Sequence, residues 1–501
     1  MHYCLSRRAV LRLSATIGFG FAGTTLLAAC GGSAATTSSA ATTASAASSV
    51  ATATQPSSTA ATSSAASTTL AASTTVAASS AAATTSAATA SVAASSASTV
   101  PPSVAGHLAV WMWWADPVDS VKQMVTTFSA QHSGVTIDVL SPSDYWNKVQ
   151  TTIAGDVGPD IFFMNNVNYW AWAKKSLLTD LDPLVARDAG VQADLKQFWQ
   201  DAVGFYKFEG KNYGLPYMYT TIVLYYNADL LNAAGLTDLA QRASSYDWTA
   251  LRDDALKLTK RQGDKTDSWG FDSTQGIETG WLNWVRANGG DYLNKDSTKC
   301  VIDASESAAA WTYLTNLSLQ DRVSPDAEAR KAGDLFLAGK LAMTPGGSWL
   351  MKTYNQKLKS FKYNITTIPQ SPNTHQAGGT TNIVGLVLNK AGKQQTPAWS
   401  FLADMVSKPS MDLLARADVL APVRNDSAEL YYDPKLGPAN RKAAFDMIKW
   451  TTPLPTAVNA TWAEITKPAG DLQGKIFQGQ MPVQDGLHQM AGLVNAVLTK
   501  Q

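Results

Sequence analysis

The chain has 501 residues, with 40 basic and 39 acidic side chains and a net charge of +1, so it lacks the basic character of a nucleic-acid-binding protein. Its three cysteines and five scattered histidines provide neither a disulfide framework nor the paired spacing of a zinc site. We therefore expect no metal and no cofactor. The unusual feature of the composition is the presence of sixteen tryptophans.

The first 29 residues have the features of a bacterial signal peptide. Arg7 and Arg8 lie in a run typical of a twin-arginine export signal, and an apolar stretch follows them. The run Leu27-Ala28-Ala29-Cys30 matches a lipobox, which predicts cleavage before Cys30 and a lipid on its sulfur. The alternative is a short transmembrane helix, but the apolar part is shorter than the roughly 20 residues that span a bilayer.

Residues 30–104 consist almost entirely of Ala, Ser and Thr. No Asp, Glu, Lys or Arg lies between Arg12 and Asp116. Serine and threonine compete for backbone hydrogen bonds, and there is no apolar period to bury, so this segment is predicted to be a disordered tether. The segment 105–501 remains as the folded part. Without the three arginines of the signal, the 40 basic residues fall to 37 against 39 acidic ones, a net charge of −2.

The folded part begins with alternating strand and helix patterns. An apolar strand, an amphipathic helix and a second strand within about 35 residues predict a βαβ unit and a parallel sheet. The fold class is therefore α/β. Ligands of such sheets bind beyond the carboxyl ends of the strands. The elements predicted first are strands at His107–Trp114, Val135–Leu140 and Ile161–Met164, and helices at Val118–Phe128 and Tyr145–Ala154.

Patterns of the same kinds predict further helices and strands. Asp247 is predicted to cap a helix that carries Trp248, Leu251, Ala255 and Leu258 on one face. The segment Gly339–Trp349 is predicted as a strand that ends in a glycine turn, Gly346-Gly347, and presents Trp349. A strand is predicted to open at Gly378–Thr381, and a helix to cover Ala398–Val406.

Several short motifs, in order along nearly the whole folded part, resemble those of bacterial extracellular solute-binding proteins of the maltose and multiple-sugar type, the capture subunits of ABC importers. Each motif is weak alone, and their shared order makes the resemblance specific. They are Trp111–Trp114, Gly155–Ile161, Tyr213–Pro216, Leu224–Asn227 with Ala234–Leu236, Asp247-Trp248, Trp269–Phe271, Asn288–Gly290, Gly339–Trp349 and Leu420–Arg424.

The resemblance implies two α/β lobes, joined by hinge strands, with a ligand cleft between them. We place lobe 1 at about 105–217 and 380–425, and lobe 2 at about 220–378 and 430–501. The chain is expected to cross between lobes near 217–221, 379–384 and 421–425. Closure of the cleft would be a hinge motion that a membrane permease detects. The expected protein is a monomer outside the cytoplasm, held at the cell membrane by the lipid on Cys30.

Aromatic side chains can pack on the apolar face of a sugar ring, while amides, charged groups and backbone atoms bind its hydroxyls. The site residues expected on this basis lie at strand ends, at the glycine turn and at the crossings. The aromatic candidates are Trp113, Trp114, Trp349, Trp281, Trp284 and Tyr219. The others are Asn165, Asn166, Gly347 and Arg424.

The sequence leaves three alternatives to sugar transport. A retaining glycoside hydrolase needs two carboxylates about 5–5.5 Å apart, and no acid pair stands at the predicted strand ends. A solute sensor would bind its ligand in the same way as a transport protein, so the sequence does not distinguish the two. A non-sugar solute, such as a polyamine or a polyol phosphate, is the third alternative. Polyamines are disfavoured because the candidate residues are aromatic and amide-rich and not multiply acidic.

Overall fold

The computed structural model describes residues 105–115, 117–274 and 276–500. The predicted signal segment, the lipidation site Cys30 and the tether over 30–104 lie outside the described residues, and so does Asp116. These predictions remain predictions. Among the described residues, no helix combines the length and the apolar character needed to cross a bilayer.

Within the residues that the structure describes, eleven strands form one mixed sheet, and two short ones form a separate hairpin. The order along the main path of the large sheet is β2-β1-β3-β11-β6-β9-β8-β7, while β10 and β12 pair with β6 and β13 pairs with β11. The strands are β1 (Ala105–Trp111), β2 (Gly134–Leu140), β3 (Ile161–Asn165), β4 (Lys207–Phe208), β5 (Lys211–Asn212), β6 (Gly214–Asn227), β7 (Lys260–Gln262), β8 (Lys265–Phe271), β9 (Leu341–Gly347), β10 (Tyr363–Thr366), β11 (Gly379–Leu388), β12 (Ala421–Pro422) and β13 (Thr451–Pro453).

Nineteen α-helices are present in the described part of the chain, with short 3-10 helices at Pro434–Leu436 and Met447–Trp450. The helices are α1 (Val118–Gln131), α2 (Tyr145–Ala154), α3 (Asn166–Lys174), α4 (Asp182–Ala186), α5 (Ala189–Leu195), α6 (Gln200–Phe205), α7 (Ala228–Ala233), α8 (Leu239–Arg242), α9 (Trp248–Leu258), α10 (Trp281–Ala287), α11 (Ser305–Leu319), α12 (Ala327–Arg330), α13 (Leu350–Lys357), α14 (Gln395–Met405), α15 (Lys408–Arg416), α16 (Asn425–Tyr431), α17 (Ala443–Asp446), α18 (Trp462–Phe477) and α19 (Val483–Leu498).

The predicted βαβ unit is confirmed. Strand β1 lies between β2 and β3 and is parallel to both, with Val110 opposite Val139 on one side and Ile161 on the other. Helix α1 connects β1 to β2 and buries Val121, Met124 and Phe128, three of the five apolar residues on the predicted face of this helix, while Val118 and Val125 are half-buried. The carboxyl ends of these three parallel strands therefore lie at one edge of the sheet, as expected for an α/β fold.

Local sequence signals account for several of the later elements. The Asp247 carboxylate accepts a hydrogen bond of 2.9 Å from the backbone N–H of Ala250, so it caps α9 as predicted. The Asp160 carboxylate accepts from the N–H of Ala109 at 2.9 Å and thereby ties the turn before β3 to β1. Strands β9 and β11 and helix α14 also occur where the sequence predicts them.

The fourteen-residue strand β6 is buried along its whole length and changes partners once. Its first part, through Thr221, pairs with β11 and β12, and its second part, from Ile222, pairs with β9 and β10. The three segments for which we predicted chain crossings, in β6, β11 and around β12, are thus neighbours in the sheet. The fold is the two-lobed α/β architecture expected from the sequence, with β6 running through both parts.

Candidate functional site

A cavity of about 350 Å³ opens where β6 and β11 meet the turn between β9 and α13. Its size is within the range of small-molecule pockets. The cavity combines aromatic rings with a few polar groups. It is lined by Trp113, Trp114, Thr220, Glu278, Trp349, Thr353, Asn382, Val384 and Leu420.

Trp113 and Trp114 form one wall of the cavity, directly after the carboxyl end of β1. The Trp113 ring stacks on Trp146 of α2, with centroids 5.5 Å apart, and contacts Phe163 edge-on at the same centroid distance. Trp114 packs at 4.9 Å on Trp113 and at 5.5 Å on Phe163. Both indoles remain half-buried. The strand end therefore presents two rings whose positions are fixed from behind by other aromatic rings.

Trp349 forms the facing wall and is held by the glycine turn that the sequence predicts. A Cβ atom on Gly347 would lie 2.0 Å from the Trp349 ring, so the indole folds back over Gly347. The adjacent Ser348 N–H donates to the carbonyl of Thr221 at 2.9 Å, at the point where β6 changes partners. Gly347 is therefore a positioning residue, and Trp349 is anchored to the strand that joins the two parts of the sheet.

Glu278 contributes the carboxylate of the cavity from the loop between β8 and α10. Its backbone carbonyl accepts hydrogen bonds from the Thr380 hydroxyl at 2.8 Å and from the Asn283 side-chain amide at 2.9 Å. Burial raises the pKa of the Glu278 carboxyl from its usual 4.5, and a hydrogen bond from the Asn382 side chain partly offsets this by favouring the ionised form. The loop thus holds a desolvated acid against β11.

Asn382 and Thr220 are directly opposite each other on the cavity face of β11 and β6. The Asn382 N–H donates to the Thr220 hydroxyl at 3.3 Å. The Oδ1 atom of Asn382 is buried and has no hydrogen-bond partner among the described residues. A buried amide oxygen without a partner is costly unless a ligand or water donates to it, so this atom is a candidate acceptor for a bound hydroxyl.

Trp281 and Trp284 do not line the cavity, which corrects the expectation that they form its opposite wall. Both are buried in the core, at 0% and 1% exposure. Trp281 packs on Trp311 with centroids 5.0 Å apart, and its Nε1 donates to the Gln473 side chain. Trp284 packs on Phe271. Helix α10 turns this face towards other helices, so the two rings serve packing.

Asn165 and Asn166 lie at the carboxyl end of β3 as predicted, yet their side chains are used by the fold. The side-chain oxygen Oδ1 of Asn165 accepts a hydrogen bond from the backbone N–H of Asn168 at the start of α3. The Asn166 amide donates to Leu454 and its oxygen accepts from Ile383, which joins β11 to the segment after β13. Neither side chain lines the cavity, because the chain's own backbone groups occupy both.

Tyr219 and Arg424 lie at the predicted crossings but also outside the cavity lining. Tyr219 is opposite Ile383 of β11, one residue before the Thr220–Asn382 pair. Since side chains alternate along a strand, it faces away from the cavity, where its hydroxyl bonds to that of Tyr432 and its ring contacts Trp199. Arg424 is 6% exposed and forms ion pairs with Asp194 and Asp426. It is a structural salt-bridge residue.

Six of the lining residues are not among those predicted from the sequence, namely Thr220, Glu278, Thr353, Asn382, Val384 and Leu420. Period-two alternation within β11 and β6 would have identified Asn382 and Thr220, once the pairing of those strands was known. Glu278 carries no sequence signal of its own, because its place depends on contacts of its loop with Thr380 and Asn283. Among the described residues, no cluster of His, Cys, Asp or Glu could hold a metal ion.

Known proteins resemble this chain over much of its length. The family model described as bacterial extracellular solute-binding protein matches residues 123–444. A putative binding protein of Brucella abortus is 23% identical over 397 residues, covering 76% of this chain and 90% of that protein. The diacetylchitobiose binding protein DasA of Streptomyces coelicolor is 26% identical over 255 residues, covering 48% of this chain and 55% of its own length.

Among solved structures, the ABC substrate-binding protein Lmo0181 of Listeria monocytogenes, in complex with cycloalternan, shares the fold with a TM-score of 0.69. That alignment covers 79% of this chain and 99% of the Listeria chain at 23% identity. The family match spans more than half of the sequence, and members of this family are binding proteins. The chain thus belongs to the bacterial extracellular solute-binding protein family.

Proposed function

We propose that the protein captures a mono- or oligosaccharide in the cavity between Trp113, Trp114 and Trp349. The observation that carries the proposal is the pairing of these three half-buried indoles with hydrogen-bonding groups on Glu278 and Asn382. A sugar has apolar C–H faces and a rim of hydroxyls, which requires both kinds of contact in one pocket. Relatives that are named for the sugars they bind, such as the diacetylchitobiose binding protein DasA, support this choice.

The cavity also favours binding over catalysis. Glu278 is the one carboxylic acid among the described residues that line it, whereas retaining glycoside hydrolysis uses two carboxyl groups about 5–5.5 Å apart. The other polar groups of the lining are hydroxyls and an amide, which hold a ligand without supplying a proton donor and a nucleophile. We therefore propose a binding protein that releases its ligand unchanged.

The division into lobes supports a hinge mechanism. We propose that lobe 1, at about 105–217 and 380–425, closes on lobe 2, at about 220–378 and 430–501, by bending of β6 and its neighbours near Thr221. Trp113 and Trp114 would belong to one lobe, and Glu278 and Trp349 to the other. A sugar that contacts both walls would stabilise the closed form, because only that form allows all contacts at once.

A panel of sugars tests the proposal with the purified protein. Thermal shift would first screen hexoses, maltose, lactose, cellobiose, diacetylchitobiose and longer oligosaccharides, with amino acids, polyamines and polyols as other solute classes. Titration calorimetry and intrinsic tryptophan fluorescence would follow for each positive compound. We expect stabilisation by at least one sugar together with a fluorescence change. Stabilisation by another solute class and by no sugar would refute the proposal.

We also propose that Cys30 carries a lipid that holds the protein at the outer face of the cell membrane, and that a permease of the ABC type receives the sugar. The run Leu27–Cys30 and the arginines at positions 7 and 8 support the first part, and the family supports the second. A single lipid with a long tether would keep the binding protein at a high effective concentration near its permease.

Fatty-acid labelling and membrane fractionation test the anchor. The wild-type protein should incorporate a labelled fatty acid and remain with membranes, while Cys30→Ser should lose the label. Cys300→Ser is the matched control, because Cys300 is buried in the folded part. An unlabelled wild-type protein would refute the lipid anchor.

Uptake of the identified sugar by cells that lack the gene tests delivery to a permease, since transport of that sugar should be lost with the gene.

A further inference from the structure

The charges around the cavity are unevenly distributed. Glu278 is the one ionisable side chain among the described residues of its lining, and it takes part in no ion pair within the described part of the chain. On the cavity face of β6 and β11 lie the uncharged residues Thr220, Asn382 and Val384. Helix α13 contributes Thr353, which is also uncharged. A bound molecule therefore meets one carboxylate and no cation from these residues.

A second cavity of about 340 Å³ shares Trp349 with the first and does not change the sign of this charge. Its lining includes Asp272, Arg330 and Asp334. The Arg330 guanidinium is bound to the Asp272 carboxylate, so its charge is balanced within the protein. Asp334 accepts hydrogen bonds from Tyr354 and from the N–H of Leu337, neither of which is a cation. The residues that line this second cavity thus add no unbalanced positive charge.

The position of Glu278 is also well determined. Thr380 and Asn283 both bind its backbone carbonyl, and Asn283 in turn accepts from the N–H of Thr380 at 2.8 Å. The Glu278 side chain bonds to Asn382, which lies two residues beyond Thr380 on β11. The contacts of the backbone carbonyl fix the point on the loop from which the side chain extends, and turning the carboxylate away would break its hydrogen bond to Asn382. The repulsion of a negatively charged ligand would therefore persist.

From this arrangement we propose that Glu278 selects ligands by charge: the site accepts neutral and amine-bearing sugars and excludes uronates, aldonates and sugar phosphates. The inference rests on the proposed function and adds to it the charge class of the sugar. Hydroxyl or ammonium hydrogens would donate to the carboxylate, and three indoles suit a cation as well as a sugar face. A second carboxylate at this position would be repelled in a partly desolvated site.

Matched ligand sets test the inference. The probes are glucose with glucosamine and glucuronate, galactose with galactosamine and galacturonate, maltose with maltobionate, and lactose with lactobionate. For the wild-type protein we expect every anionic member to bind at least about tenfold more weakly than its neutral counterpart. An anionic member that binds the wild type as tightly as its neutral counterpart would overturn the inference, without the need for any variant.

Variants then assign the effect to Glu278. Glu278→Gln should narrow the neutral-to-anionic affinity ratio by about tenfold or more, and Glu278→Asp, which keeps the charge, should preserve the discrimination. Glu429→Gln is the matched control, since it removes the same charge from an exposed position of α16. An unchanged ratio in Glu278→Gln would overturn the role of Glu278 even where sugars bind, whereas absence of any sugar binding would instead refute the proposed function.

Discussion

Two groups of three tryptophans show how one residue type takes two roles in this protein. Trp113, Trp114 and Trp349 are half-buried around the cavity, while Trp281, Trp284 and Trp311 are 0–1% exposed in the helical core beside it. The first group follows strand ends, where the backbone leaves the sheet and cannot cover the rings. The second lies on α10 and α11, which pack on each other. Among these six tryptophans, the rings that follow strand ends are partly exposed, and the rings on the two packed helices are not.

The two groups should respond differently to truncation. Removal of a core ring leaves a void that neighbours fill only in part, so the cost appears in the free energy of unfolding. Removal of a cavity ring takes away a surface that only a ligand covers, so the cost appears in the free energy of binding.

The largest effect is expected for Trp281→Ala. This change removes a fully buried indole together with its contacts to Trp311 and Tyr292, and it should lower the free energy of unfolding by about 3–5 kcal/mol. Urea denaturation followed by circular dichroism measures the change. Trp450→Ala, at a partly exposed position outside the cavity lining, serves as the control and should cost less. A loss below about 1 kcal/mol would erase the difference between the two groups.

The second effect is the loss of sugar affinity in Trp349→Ala. This ring lines the cavity, and truncation of a central aromatic contact costs about 2–3 kcal/mol, so the dissociation constant should rise about 30- to 160-fold. Titration calorimetry with the tightest sugar of the panel measures it. The midpoint of urea unfolding should change little. Unchanged affinity would remove Trp349 from the binding site.

A third prediction concerns the support of that ring. Gly347→Ala should weaken sugar binding by about tenfold, because the new methyl would occupy the place of the Trp349 indole and displace it. Calorimetry with the same sugar measures the effect. Gly470→Ala is the control, since a Cβ there meets no atom within 4 Å. If Trp349→Ala weakens binding and Gly347→Ala does not, the ring binds sugar without support from this turn.

The smallest effect is expected in the pH dependence of stability of Glu278→Gln. Because burial raises the pKa of Glu278 in the folded protein, the wild type carries a penalty that is absent below the usual value of 4.5 and grows as pH rises through the folded pKa. The variant lacks this penalty. Its melting temperature should therefore exceed that of the wild type at pH 7 and match it near pH 4, as differential scanning calorimetry would show. A lower melting temperature at pH 7 would contradict the assigned cause.

The sequence predicts the fold better than the site. The spacing of apolar residues shows which side of an element is buried, but it does not show which residues that side contacts. The strand at Ile161, the helix at Tyr145 and the glycine turn before Trp349 follow from local patterns, and the structure has all three. The spacing of Trp281 and Trp284 identifies a helix face but cannot say what covers it. Glu278 depends on Thr380, about a hundred residues later in the chain, so no local pattern identifies it.

Strand β6 also limits how this protein can change in length. Its residues alternate between the cavity face, where Thr220 lies, and the opposite face, where Tyr219 contacts Trp199. Insertion or deletion of one residue would exchange these faces for every later position of the strand. The pairing of its second half with β9, which leads to Trp349, would then lose register with the first half. Additions to the chain are therefore expected in the surface loops and not in this strand.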